Sequence, residues 1–190
     1  MISFKKYEDK IVFYQDNKLY SLIRIYDNFV IKENIDISEL GLKELPDLSN
    51  LICLGNFDCS WNNLTSLKGA PKEVKGLFNC SDNDIISLEY GPKKAKKYDC
   101  SSNNLRDLQG APEEVELFDC SENKLKSLIG GPKKARSYYC RSSLKSFDGA
   151  PTDCDNFFVY KSSLSDKKLK SKKDLELVIL RIKNGEIKVR

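Results

Sequence analysis

Seven cysteines and no histidine set the first chemical question for this chain. Thiols at fixed spacing could bind a metal, pair as disulfides or act as nucleophiles. Zinc sites draw on closely spaced Cys pairs, and none occurs here; Cys53 and Cys59 are six residues apart. A nucleophilic Cys needs an activating base, and the chain has no His to supply one. No nucleotide-binding loop, carboxylate–metal motif or nucleophile–base pair stands out among the other residues. The expectation is a protein without cofactor, metal or catalytic residue, and not an enzyme.

The spacing of the thiols has another meaning. Cys59, Cys80, Cys100, Cys120 and Cys140 follow one another at intervals of 21, 20, 20 and 20. Around them the sequence repeats: FDCSWNNLTSLKGAP from Phe57, FNCSDNDIISLEYGP from Phe78, YDCSSNNLRDLQGAP from Tyr98 and FDCSENKLKSLIGGP from Phe118. A fifth copy, YYCRSSLKSFDGAP from Tyr138, has lost one residue near Ser142–Leu144. Stepping back 22 from Cys59 reaches Ile37, in a degenerate first copy with Leu40 at the Asn place and Leu42 and Leu45 at matching offsets. Stepping forward 19 from Cys140 reaches Val159, where Leu164 fits and the pattern stops. About six copies of a 20–22-residue unit cover roughly 35–164.

Each position has a physical reading. Aromatic and Cys are two apart, so on an extended segment both face the same side. One short strand per unit then stacks into a parallel sheet, strands ~4.8 Å apart. Asn62, Asn83, Asn103 and Asn123 fall where the chain must turn, and an inward Asn can satisfy backbone groups left unpaired there. Leu64 and Leu67 and their equivalents fill the core. Gly-x-Pro opens a return segment in which no helical period is visible, so turns or 3₁₀ pieces are expected on the convex side. The thiols become core: small, polarizable and buried, and reduced in a cytosol. Cys154 takes the place that Val or Ala holds in other return segments.

The unit, aromatic-x-Cys-Ser-x-Asn-x-Leu-x-Ser-Leu-x-Gly-x-Pro, resembles the leucine-rich-repeat signature, with Phe or Tyr at the first Leu and Cys at the second. It is similar to short repeats of bacterial effector proteins and to Cys-Ser-x-Asn repeats of phage and giant-virus proteins. The resemblance covers about two-thirds of the chain. It implies a leucine-rich-repeat solenoid with a curved parallel β-sheet and short non-helical return segments. By analogy it also implies a host-interaction or anti-defence role, although fold alone does not fix function.

Three stripes beside the cysteines are expected on the concave face. Before the Cys come Asp58, Asn79, Asp99, Asp119 and Tyr139; directly after it, Ser60, Ser81, Ser101, Ser121 and Arg141; two after it, Trp61, Asp82, Ser102, Glu122 and Ser142. Any solenoid needs a solvated face, but solenoids also bind extended partners there, and an exposed Trp anchors interfaces. The candidate partner-binding residues are Asp58, Trp61, Asp82, Asp99, Asp119, Glu122, Tyr139 and Arg141. An acidic face favours a protein partner with a basic surface. The alternative is a nucleic acid tracked by return-segment cations such as Lys93, Lys94, Lys96, Lys97, Lys133, Lys134 and Arg136, together with the Lys-rich 161–173 stretch. Glu73, Glu113, Glu114 and Glu116 interrupt those cations, and no aromatics interleave with them for base stacking.

Solenoids carry caps. Residues 1–34 read as antiparallel strands capping the first coil, 35–164 as the array, and 165–190 as a basic linker and an amphipathic capping helix ending near Gly185. The chain has 190 residues, 40% hydrophobic and 32% charged, with net charge +4. The charged fraction suits an elongated shape with much surface, and the small net charge does not by itself argue for nucleic acid. No apolar run is long enough to span a membrane, and charges stand where a signal peptide would be apolar. The expected location is the cytoplasm.

Overall fold

The computed structural model describes residues 3–7, 10–15, 18–21, 23–25 and 28–160, with side chains from Val30 to Val159. The capping helix and the Lys-rich stretch expected beyond residue 160 lie outside the described residues. Strands β1 (Ser3–Tyr7), β2 (Lys10–Gln15) and β3 (Lys18–Ser21) form an antiparallel sheet of their own. β4 (Ile23–Ile25) and β5 (Asn28–Ile31) pair antiparallel, and β5 then pairs parallel with β7 (Leu51–Cys53). β6 (Ile35–Asp36) pairs with β8 (Phe57–Asp58). From there each coil adds one strand: β9 (Glu73–Asn79), β10 (Ala95–Asp99), β11 (Glu114–Asp119), β12 (Lys134–Arg141) and β13 (Asp153–Tyr160). The result is a parallel β-solenoid of about six turns, with no helix among the described residues.

The repeat register holds at both ends. Asp36 pairs with Asp58, which sets Ile37 beside Cys59, and Cys140 pairs with Val159. Five inward columns make the core. One coil supplies Val115, Phe118, Cys120, Leu125 and Leu128, all buried, and every other coil supplies its equivalents. Burying one such side chain is worth about 1.5–3 kcal/mol, so each coil gains most of its stability from stacking on its neighbours.

The return segments are not turns. The stretch after each Pro is the first half of the sheet strand, entering with Val74, Ala95, Val115, Ala135 or Cys154 facing inward. The strand was hidden because its inward residues break the period of two: Val115 and Phe118 are three apart. An irregularity between Ala95 and Lys97 marks the place, as a bulge shifts which face a side chain takes. The same place explains the changing repeat length. In the earlier coils Cys53 and Phe57, and Val74 and Phe78, are four apart, and the extra residue sits beside Gly55 and Gly76. Asn34 Oδ1 accepts from Asn56 N at 2.8 Å, and Asn56 Oδ1 from Leu77 N at 2.8 Å. A Cβ on Gly76 would lie 2.3 Å from Asn56 Oδ1, so this side-chain ladder requires glycine there.

The aromatic column runs Phe57, Phe78, Tyr98, Phe118, Tyr138 and Phe157, with neighbouring ring centroids 4.9–5.8 Å apart. Its two tyrosines follow a rule. Coils ending in Ala-Pro (Ala70, Ala111, Ala150) carry Phe in the column, and coils ending in Gly-Pro (Gly91, Gly131) carry Tyr. A Cβ on Gly91 would sit 2.3 Å from the Tyr98 hydroxyl, and one on Gly131 would sit 2.8 Å from that of Tyr138. The hydroxyl occupies the space that the alanine methyl fills elsewhere, which keeps the core at constant volume. Tyr98 Oη is buried without a hydrogen-bond partner.

Candidate partner-binding face

The Cys column is interior. All seven cysteines are buried and free. The thiols of Cys59, Cys80, Cys100 and Cys120 donate to the carbonyls of Asn79, Asp99, Asp119 and Tyr139 in the next coil, at 3.2–3.4 Å. Burial holds these four thiols well above their ordinary pKa, and pushes Cys53 and Cys154 up to about 11. Among the described residues no group of three or more Cys, Asp or Glu could hold a metal ion.

The Asn column closes the turn. Asn83 Nδ2 donates to the carbonyls of Cys59, Cys80 and Ser81 at 3.0–3.3 Å, and its Oδ1 accepts from Leu64 N at 2.9 Å. Asn103 and Asn123 repeat the pattern. Asn62 also serves the degenerate first coil, where Leu40 stands in the Asn place: its Oδ1 accepts from Leu40 N and Leu42 N at 3.1 and 2.9 Å. In the fifth coil Ser142 takes this position, buried at 3% exposure.

Beside the Cys, the outward side of the strands carries one ladder: Asp36, Asp58, Asn79, Asp99, Asp119, Tyr139 and Phe158, each registered with the next. Asp58, Asp99, Asp119 and Tyr139 were anticipated here. Phe158 was not, although stepping 19 from Tyr139 reaches it just as the same step from Cys140 reaches Val159. Its ring stacks on Tyr139, centroids 4.9 Å apart.

The serines expected outward are not there. Ser60 and Ser81 are buried, at 4% and 7% exposure, and Ser101 and Ser121 are half-buried. The chain leaves the strand at this point, and the preceding carboxylate holds it. Asp58 Oδ1 accepts from Ser60 N at 2.9 Å and from its Oγ at 2.6 Å; Asp99 does the same for Ser101, and Asp119 Oδ1 accepts from Ser121 N. These are Asx-type turns. Asp58 Oδ2 further accepts from Asn79 Nδ2 at 3.0 Å. Much of the acidity read from this stripe is therefore committed to the turn. Asp99 shows the cost: burial, and behind it the carboxylates of Asp119 and Asp82, raise its pKa against the hydrogen bonds from Ser101.

The stripe two residues after the Cys has a different geometry. Glu39, Trp61, Asp82, Ser102 and Glu122 all lie in the left-handed region, with φ of 52–55°. Each backbone N–H donates to the next coil, Trp61 to Ser81 O at 3.2 Å and Glu39 to Ser60 O at 3.1 Å. The side chains thus form a second ladder. Trp61 is 64% exposed. Ser142 is not in this stripe, because the residue missing from the fifth coil is the left-handed one. Arg141 instead continues the strand and meets Glu122, Nε to Oε1 3.0 Å. Glu39 was missed by sequence reading because the first coil lacks its Cys and Asn.

The cations of the return segments lie on the strands, and their signs alternate across them. Glu114 registers with Lys134, and Lys134 with Asp153. Lys96 approaches Glu116 at 3.6 Å, Lys133 approaches Glu113 at 2.9 Å, and Lys134 approaches Glu114 at 3.9 Å. A cleft of about 440 Å³ over these strands is lined by Lys96, Glu114, Glu116, Lys134, Arg136 and Asp155. A second, of about 550 Å³, is lined by Lys43, Glu44, Asp47, Lys68 and Tyr90 among others. Neither is lined by a thiol. No helix among the described residues is long and apolar enough to cross a membrane.

Comparison of the chain with protein-family models, with curated proteins and with solved structures returns no match.

Proposed function

We propose that this chain is a leucine-rich-repeat-type module that binds another protein, one with a basic surface, through the outward ladders beside the Cys column. The observation that carries this reading is the pair of adjacent ladders, one residue per coil. They set Asp82, Glu122 and the exposed Trp61 beside the Asp58–Phe158 column. Repetition at ~4.8 Å offers an extended partner a regular series of contacts, which is how solenoids bind. Aromatic groups at a ladder's ends anchor such contacts, while the carboxylates favour a basic partner and oppose an acidic one. The alternating charges of the return strands do not make the unbroken cationic track that a polyanion needs. The likeness to phage, giant-virus and bacterial repeats extends the proposal to a host-interaction or anti-defence role in a cytoplasm.

The test is affinity capture with the intact chain and with Asp82→Lys/Glu122→Lys, followed by calorimetry on the purified partner. Asp58, Asp99 and Asp119 are unsuited to charge reversal, because they hold turns. A partner with basic surface that binds the native chain and is lost on reversal is the expected result. Equal binding by both forms rejects the face as the site.

A further inference from the structure

We infer that the contact point of this face is Trp61, and that it seats a single arginine side chain of an extended basic peptide between Glu39 and Asp82. This rests on the protein-binding reading above and narrows it to one ladder and one chemistry. The two ladders differ in what their side chains already do. In the strand ladder, Asp58 and Asp99 each accept from the Ser backbone and hydroxyl two residues on, so those oxygens are engaged before any partner arrives. In the turn ladder the backbone, not the side chain, makes the coil-to-coil bonds.

The turn ladder also carries unneeded strain. A left-handed φ suits Gly or Asn, and a bulky residue there is an outlier. The chain places Trp61 at φ 53° and leaves it 64% exposed, although Asn would close the same turn. Strain kept at an exposed aromatic points to use of that side chain.

The flanking charges define the occupant. Glu39 and Asp82 occupy the same place one coil to either side, ~4.8 Å away along the ladder. An indole face between two carboxylates fits a planar cation: guanidinium stacks on the ring and offers its N–H groups to a carboxylate beside it. A neutral apolar side chain would use the indole and leave both charges without purpose. A phosphate or a nucleic-acid backbone would be repelled by both.

Trp61 is the single tryptophan of the chain, so its emission reports this seat alone. The experiment titrates the full chain at low salt with a heptapeptide of alternating Arg and Gly. Peptides with citrulline or Glu in place of Arg serve as controls. Expected is a saturable change in Trp61 emission with the Arg peptide only, with affinity lowered about fivefold by each of Glu39→Gln and Asp82→Asn. Both substitutions suit the turn, so folding is preserved and checked by circular dichroism. Trp61→Asn, read by calorimetry, should abolish binding while raising the melting temperature. Unchanged emission with the Arg peptide, an equal response to citrulline, or full binding by Trp61→Asn overturns the inference. A captured protein partner that is lost with Glu122→Lys but indifferent to Trp61→Asn would keep the binding face and sink the arginine seat.

Discussion

At the scale of single residues, Asn83 does more for the fold than any one apolar side chain on its coil. It joins four backbone groups from two coils, and its loss would leave buried donors and acceptors unpaired. Asn83→Ala should therefore destabilise the protein by about 2–4 kcal/mol, read as a lower urea midpoint. Asp99 argues in the opposite direction. Its folded pKa is raised, chiefly by burial, so folding favours its protonated form. The stability this gives is present below the unfolded carboxylate pKa and is lost as pH rises through the folded value. Asn already stands at this place in the neighbouring coil, where Asn79 Oδ1 accepts from Ser81 N at 3.1 Å. Asp99→Asn should thus raise the melting temperature at pH 7, and the gain should vanish once pH falls below about 3.9, the ordinary Asp value. A gain that persisted in acid would contradict this account. The Asn role was legible in the sequence, because a turn with an inward amide has one consistent use. The Ser role was not: alternation assigned Ser60 to solvent, and only the turn geometry shows its hydroxyl folded onto Asp58.

At the scale of the coil, Gly91 and Tyr98 form one packing unit. Gly91→Ala should cost about 1–3 kcal/mol by overpacking. Tyr98→Phe should be neutral or stabilising, since it removes a buried hydroxyl without a partner. The double substitution reproduces what Ala70–Phe78 and Ala111–Phe118 already show in other coils, and should return close to the native stability. Additive effects in that cycle would separate the two sites. The Cys column makes a second prediction at this scale. Buried thiols with raised pKa react slowly as nucleophiles. Iodoacetamide at pH 8 should leave the native column unlabelled and should label it after urea unfolding, as mass spectrometry would show. The coil's second half, from Cys to Pro, was readable from type and spacing. Its first half was not, because a bulge between Val115 and Phe118 removes the alternation by which a strand is recognised.

For the whole molecule, stability accumulates coil by coil. Deleting residues 99–118 joins Tyr98 to Asp119 and removes one full repeat in register. That variant should fold cooperatively, with a denaturant m-value lower by about a tenth, in proportion to the surface lost. Deleting 99–108 puts Leu108 and Gln109 after Tyr98 and breaks every column, so it should not fold. The charge pattern belongs to this scale as well. Lysines that form basic clusters along the chain are set against Glu113, Glu114 and Glu116 by the stacking. Residues 28–160 expressed with their cap should accordingly show no salt-sensitive binding to generic DNA at low salt; a steep salt slope would revive the polyanion reading.

The sequence by itself determined the solenoid, its register from Ile37 to Val159 and the interior fate of the cysteines. Those follow from a period in which each residue type has one physical use, repeated often enough to exclude chance. Tertiary structure decided which outward residues are available. Whether a carboxylate faces solvent or caps a turn depends on the φ of the residues after it and on the coil beneath. Those are distances across 18–25 residues of chain, which local pattern does not report. It placed Asp58 and Asp99 in the turns, and left Trp61, between Glu39 and Asp82, facing outward.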